Sequence, residues 1–398
     1  TSFFLVNYLT CGFKLIISSM KRLTLFILFC TVILSAQTQY ELLDTQSLGE
    51  RELKIQLPRN YEENTETFYP LILTLDGDYL FEIVAGNVDY TAYWDDMPEA
   101  IVVGLNQIET RADDLYVSDN TFFPVKSGAQ FFEFIGDELI TFLEDNYRVN
   151  EFRVAVGHGA SANFIQFFAF KNKPIFQAYI SISPSLSPYM SDNLTALFGA
   201  LKSPLFFYMS TASEDFKANR TEALELNTKL EAIESAQLYY AFDNFQEANH
   251  YALASRSIPQ ALDHIFLVYQ PISRAEYKKH ILPLETSPVD YLLEKYNTIE
   301  KLFGIEKQIL MNDFRAISTA IEKNKSFDYF KDLAKLARDA YPETLLSNYY
   351  MGRFFEATGN IRKAIKAYQE AYIYLEIDGI TKDDLLNRAD RLKAEFGY

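Results

Sequence analysis

The run Phe152-Arg153-Val154-Ala155-Val156-Gly157-His158-Gly159-Ala160-Ser161-Ala162-Asn163 decides how this chain is read. Its first five residues are a dense apolar stretch of the kind that forms a strand covered on both faces, and a helical pattern begins after it. Between strand and helix the residues are small apart from His158. A strand-to-helix turn of the G-x-S-x-G type is so tight that its middle residue takes a strained backbone, and the residues two away on each side must be small. Here the middle residue is Gly159 and its flanks are Gly157 and Ser161. The spacing keeps the turn and omits the hydroxyl.

Outward from this turn, strand-like and helical stretches alternate from Gln37 to about Phe266, the signature of an α/β sheet domain. Residues 71–75 and 100–104 are dense apolar runs like 152–156 and predict further buried parallel strands, with later strands at 178–182, 205–209 and 238–242. Residues 52–57 alternate with period two, end at Pro58 and predict an antiparallel edge strand. Phe131, Phe134, Ile135, Leu139, Phe142 and Leu143 fall at three- and four-residue spacing and predict an amphipathic helix over 131–147. A helix over 258–267 closes the domain.

Through this region the chain resembles the Putative esterase family of α/β-hydrolases, which includes esterase D type and enterochelin esterase-like enzymes. The resemblance covers Ser47 to Phe266. It rests on pieces in order: Leu57-Pro58 with Tyr61, Leu75-Asp76-Gly77-Asp78, Ile101-Val102-Val103-Gly104, Arg111 with Asp114-Leu115, Asp137-Glu138-Leu139 with Asn146-Tyr147-Arg148, Gly157-His158, and Ile182-Ser183-Pro184-Ser185-Leu186. The fold it implies is an α/β-hydrolase fold, a mostly parallel sheet flanked by helices. The site it implies has Gly159 at the degenerate nucleophile position, an acid at Glu214 or Asp215, His250 as base, and His158 as scaffold. Oxyanion N–H groups would come from Ala160 and from the turn at Gly77 and Asp78. Asp113 stands where relatives often repeat the arginine of Arg111, which weakens the case for an anionic substrate.

Ser161 is the alternative nucleophile, but two helical steps turn a side chain about 200° from the position the turn presents. Ser183 and Ser185 read as structural turn residues. Of the other histidines, His264 lies in the closing helix and His280 in a linker. Asp76 and Asp78 astride a glycine read as turn formers, and no His/Cys cluster or H-E-x-x-H spacing points to a metal. No cofactor is implied.

After Tyr269-Gln270-Pro271 the strand-like runs stop. The domain reading is therefore an esterase-like α/β domain over 37–268, a linker over 269–286 and a small all-α domain over 287–398. In the last part Met351-Gly352, Phe355, Gly359, Ala364, Tyr368 and Ala371 match the small and aromatic packing positions of a tetratricopeptide helix pair. A weaker copy lies earlier, at Ala334, Ala337 and Pro342; a plain helical hairpin is the simpler alternative.

The chain has 398 residues, 48% hydrophobic and 15% aromatic, enough for a large domain and a smaller one. With 37 basic against 54 acidic residues, the net charge of −17 repels phosphate backbones and argues against a nucleic-acid partner. The first 36 residues carry Lys14, Lys21 and Arg22 and no acid. Within them, Met20-Lys21-Arg22, the apolar run 23–34 and Ser35-Ala36-Gln37 have the plan of a secretory signal, which predicts a mature start at Gln37 and an exported, periplasmic or secreted protein. The apolar run is too short to span a membrane. Residues 1–19 precede the plausible initiator and read as an over-extended frame. Both cysteines, Cys11 and Cys30, fall in this segment; Phe29 is bulkier than the usual lipidation signal before Cys30 and Ala36 offers a better cut, with a lipoprotein as the alternative.

Three functions are compatible with these features. One is a degenerate esterase that binds a small ester-like molecule. Another is a working carboxylic ester hydrolase, siderophore-esterase-like, using Ser161 or another nucleophile with His250. In the third, the helical tail captures a protein partner and the α/β domain is its platform.

Overall fold

The computed structural model describes residues 38–118, 120 and 123–398. The signal-like segment and its cysteines lie outside the described residues. Eight strands form one sheet: β1 (Thr38–Thr45), β2 (Gly49–Gln56), β3 (Tyr69–Thr74), β4 (Ile101–Leu105), β5 (Val149–His158), β6 (Ala178–Ile182), β7 (Leu205–Glu214) and β8 (Leu238–Asn249). Their order across the sheet is β1-β2-β4-β3-β5-β6-β7-β8. The pairings β1·β2 and β2·β4 are antiparallel and the rest parallel. In β3, β4 and β6 every residue is buried, as dense apolar runs require when helices cover both faces.

The expected edge strand is in fact interior. Residues 38–45 add an outer strand beside it through a turn at Gly49, whose φ is +69°, and Thr45 Oγ1 holds that turn by donating to Gly49 O and accepting from Leu48 N–H. Tyr40 and Leu42 on the added strand are exposed, so its sequence carries little inward pattern. The amphipathic run expected over 131–147 is helical from Ser127 to Asn146 with a π-type segment at Phe134–Leu139. The closing helix begins earlier than expected, at Leu253, after a single turn capped by Asn249, whose side chain accepts the Ala252 N–H.

Helix α1 (Gly77–Tyr93) buries Leu80, Phe81, Val84, Ala85 and Val88 on one sheet face, beside α4 (Leu253–Ile265). Helices α2 (Ala160–Gln166) and α3 (Lys217–Glu231) pack in the core of the opposite face. The C-terminal region comprises α5 (Pro288–Phe303), α6 (Met311–Lys323), α7 (Tyr329–Ala340), α8 (Leu346–Ala357), α9 (Ile361–Glu370) and α10 (Lys382–Phe396). The core beneath α1 and α4 runs without a break into this region as far as Tyr350. Phe303 is the hinge pin of that contact, its ring 4.9 Å from Phe152 and 5.2 Å from Phe266. The segment 269–286 is correspondingly packed rather than loose: Tyr269, Ile272 and Ile281 belong to the same core. A smaller cluster around Tyr368, Leu385 and Leu392 finishes the molecule. Among the described residues no helix is long and apolar enough to cross a membrane.

Candidate active site

Strands β3, β5, β6, β7 and β8 are parallel, so their carboxyl ends deliver residues to one edge of the sheet, where ligands of open α/β sheets bind. Strand β5 delivers the tight turn. Gly159 has φ 64° and ψ −116°, a backbone state that costs other residues about 1–3 kcal/mol. Gly157 cannot carry a side chain, because a Cβ there would lie 2.5 Å from the Ser161 backbone carbon. A Cβ at Gly159 would meet only the His250 ring, 3.7 Å from Cε1 and 3.8 Å from Nε2. The Gly159 N–H is held by Ile182 O and its carbonyl accepts from Ser185 N–H.

Asp215 follows β7 and His250 follows β8. The fully buried Asp215 carboxylate accepts from His250 Nδ1 at 2.9 Å, Ser183 Oγ at 2.9 Å and Phe216 N–H at 2.8 Å on one oxygen, and from Thr211 Oγ1 at 2.8 Å on the other. Burial favours the neutral acid, but these four donors outweigh it and hold Asp215 below the ordinary carboxylate range. A carboxylate can only accept, so Nδ1 of His250 carries a proton, and Nε2 faces the turn. Two nearly parallel rings clamp the imidazole, His158 on one side and Phe216 on the other, each with its centroid 4.2 Å away.

His158 is itself held neutral. Burial first, and the adjacent His250 second, push it down to about 4. Its Nε2 donates to the His250 carbonyl at 3.2 Å, and its Nδ1 lies 3.2 Å from Tyr79 Oη, whose single proton also has Asp76 Oδ2 within reach at 3.1 Å. His158 is thus scaffold for the His250 loop.

Ser161 is fully buried, with its hydroxyl spent on the Asp76 carboxylate and the turn backbone. Its Oγ donates to Asp76 Oδ2 at 2.6 Å and accepts the His158 N–H at 2.8 Å. Asp76 also takes both Nε and Nη2 of Arg111, at 2.5 and 3.0 Å, and its own N–H reaches Gln107. The Asp76 carboxylate therefore ties α1, Arg111 and the turn together. Glu214 is exposed and takes no part in the Asp215 cluster.

A cavity of about 460 Å³ opens beside Gly159, walled by His250, His158, Ala160, Tyr79, Arg111 and Phe216 among others. Gly77 and Asp78, expected to supply oxyanion donors with Ala160, do not line it. Gly77 presses against β4, where an added Cβ would lie 2.8 Å from the backbone of Gly104 and Leu105, and Asp78 accepts the Gln107 N–H at 2.6 Å. Three residues of this cluster, Ser183, Thr211 and Phe216, escaped a catalytic reading of the sequence. Ser183 read as a turn residue, yet at φ +47° its Oγ reaches both Asp215 and His250 Nδ1, at 2.9 and 3.0 Å. Only the fold makes that φ visible. Among the described residues no group of three or more His, Cys, Asp or Glu side chains is placed to hold a metal ion.

Residues 46–241 match the family model described as Putative esterase. An uncharacterised protein from Capnocytophaga ochracea superposes with a TM-score of 0.81 at 29% identity, covering 90% of this chain and 100% of its own. An IroE-like serine hydrolase from Shewanella oneidensis superposes with a TM-score of 0.55 at 18% identity, covering 76% and 99%. The BES protein from Bacillus cereus does so with a TM-score of 0.50 at 22% identity, covering 58% and 95%. No curated protein matches. The mostly parallel sheet flanked by helices is the α/β-hydrolase fold of the esterases, here followed by a helical C-terminal region.

Proposed function

We propose that this chain, whose α/β domain over residues 46–241 is a domain of the Putative esterase family, is an exported, catalytically degenerate esterase that binds an ester-like small molecule beside Gly159 and does not turn it over. One observation carries this reading. The acid–base pair is wired as a triad would need, with Nε2 of His250 lying 3.8 Å from where a Cβ at Gly159 would stand. Nucleophilic catalysis needs a hydroxyl within reach of the base. Ser161, the alternative, is committed to Asp76 in the interior. Export rests on the Met20-Lys21-Arg22 start, the apolar run and the Ala36-Gln37 cut.

The test is Gly159→Ser assayed with a small activated ester. Loss of a triad serine costs on the order of 10⁶ in rate, while oxyanion contacts and binding alone keep about 10³ over water. The substitution is expected to raise turnover about tenfold or more, and adding His250→Ala is expected to abolish the gain. Wild-type turnover at ordinary esterase rates, lost in Ser161→Ala and unchanged in Gly159→Ser, would establish the active hydrolase instead. Intact-mass measurement of protein from its native host tests export: the mass is expected to begin at Gln37, and retention of Met20 to Ala36 refutes it.

A further inference from the structure

A second cavity, of about 620 Å³, lies at the opposite edge of the sheet, where β3 and β4 begin. Four parts of the chain wall it: the segment around Arg59 and Phe68 between β2 and β3, the last turns of α1, the loop from Asp95 to Ala100 that leads into β4, and Tyr269 with Ile305 from beyond the sheet. Its volume falls within the range of about 300–1,000 Å³ that holds small ligands.

The polar groups inside are of both kinds, and three of them keep bonding capacity unused among the described residues. Tyr69 is 2% exposed, yet its Oη makes no hydrogen bond, its neighbours Asn64 and Thr67 falling short of bonding geometry. A buried hydroxyl of this kind calls for a partner. Glu99 makes no hydrogen bond or ion pair among the described residues, and partial burial, with Asp89 nearby, raises it above the ordinary range. Arg59 donates Nε and Nη2 to Asp89 and leaves Nη1 without a hydrogen-bond partner among the described residues. The lip is aromatic: Phe68 is 58% and Tyr93 62% exposed, with Tyr90 and Trp94 also open beside them.

Of the carboxylates that line this cavity, Asp89 is paired with Arg59 and Asp95 with Lys307, so Glu99 leaves the lining with an uncompensated acid, which disfavours an anion. Acceptors, donors and flat apolar faces in one cavity suit a ligand that alternates hydroxyls with C–H faces. We propose that this cavity is a saccharide-binding site, with Tyr69, Glu99 and Arg59 bonding the hydroxyls and Phe68 and Tyr93 stacking on the ring. The site is independent of the pocket beside Gly159 and does not rest on the reading of that pocket.

Chitotriose, cellotriose and xylotriose at millimolar concentration are the probes, read by saturation-transfer NMR and titration calorimetry on the protein from Gln37 to Tyr398. At least one trisaccharide is expected to bind, with affinity falling roughly tenfold in Glu99→Gln and in Tyr93→Ala, as loss of about 1.4 kcal/mol of contacts would give. Tyr69→Phe keeps the ring packed and is expected to weaken binding as well, whereas His250→Ala leaves it unchanged. Silence of all three sugars, or binding indifferent to Glu99→Gln and Tyr93→Ala, overturns the proposal. Binding of tetramethylammonium with the sugars silent also overturns it, since the aromatic lip would then serve a cation.

Discussion

At the scale of single residues, His158 and Ser161 show how the turn is supported from below. The unfolded chain protonates His158 near its ordinary value of about 6.5, whereas burial in the fold pushes it down to about 4. Between those values the unfolded state binds the extra proton, so this residue makes stability fall as pH drops through the window, by on the order of 3 kcal/mol in full. Asp215, held low, keeps its contribution there and loses it only at more acid pH. Denaturant titrations at pH 7 and 4.5 are expected to show a shallower pH dependence in His158→Asn than in wild type; equal slopes would contradict the assigned neutrality. Ser161→Ala removes a donor from the buried Asp76 carboxylate. It is expected to cost about 1–3 kcal/mol of stability and to leave the esterase turnover gained in Gly159→Ser intact, which separates a structural serine from a nucleophile.

At the scale of elements, the contact between α8 and α9 depends on the absence of one side chain. A Cβ at Gly352 would lie 2.1 Å from the Tyr368 ring, and Tyr368 is fully buried with its hydroxyl on Glu356. Small residues at helix crossings permit such approach, and the spacing of Gly352, Ala364 and Tyr368 already marked it in the sequence. Gly352→Leu is expected to lower the melting temperature through an overpacking cost of about 1–3 kcal/mol. In a double-mutant cycle, Gly352→Ala is expected to cost less when Tyr368→Ala is also present. Additive effects would show that the two residues do not oppose each other. The Phe134–Leu139 π-type turn, by contrast, leaves no mark in the apolar spacing, because one extra residue per turn changes which neighbours bond without changing which residues are apolar.

At the scale of the whole molecule, the C-terminal helices complete the core of the α/β domain. Phe303 lies among Phe152, Phe206 and Phe266, Asn150 Nδ2 donates to the Phe303 carbonyl at 2.9 Å, and Lys307 joins Asp95 to Tyr269. Ending the chain after Gln270 would expose this face of the sheet. The truncated protein is expected to aggregate or to melt well below the full chain, while the full chain unfolds in one calorimetric transition. Phe303→Ala alone is expected to cost about 3–5 kcal/mol. A soluble truncation with an unchanged melting temperature would mean that the two regions are independently stable.

Much of the architecture is legible in the chain itself because burial imposes local patterns. Dense apolar runs mark β3, β4 and β5, three- and four-residue spacing marks the helices, and the small residues around Gly159 mark the turn. The missing hydroxyl at 159 is a statement of composition, so the sequence alone carries it. What the tertiary structure decided is every relation between residues far apart along the chain. It selected Asp215 over Glu214, because the end of β7 turns only one of the two carboxylates inward to four donors. It assigned Ser161 to Asp76, 85 positions away, and Ser183 to His250, 67 away. It also merged the helical region with the sheet, because an apolar face records that it must be covered but not by which element.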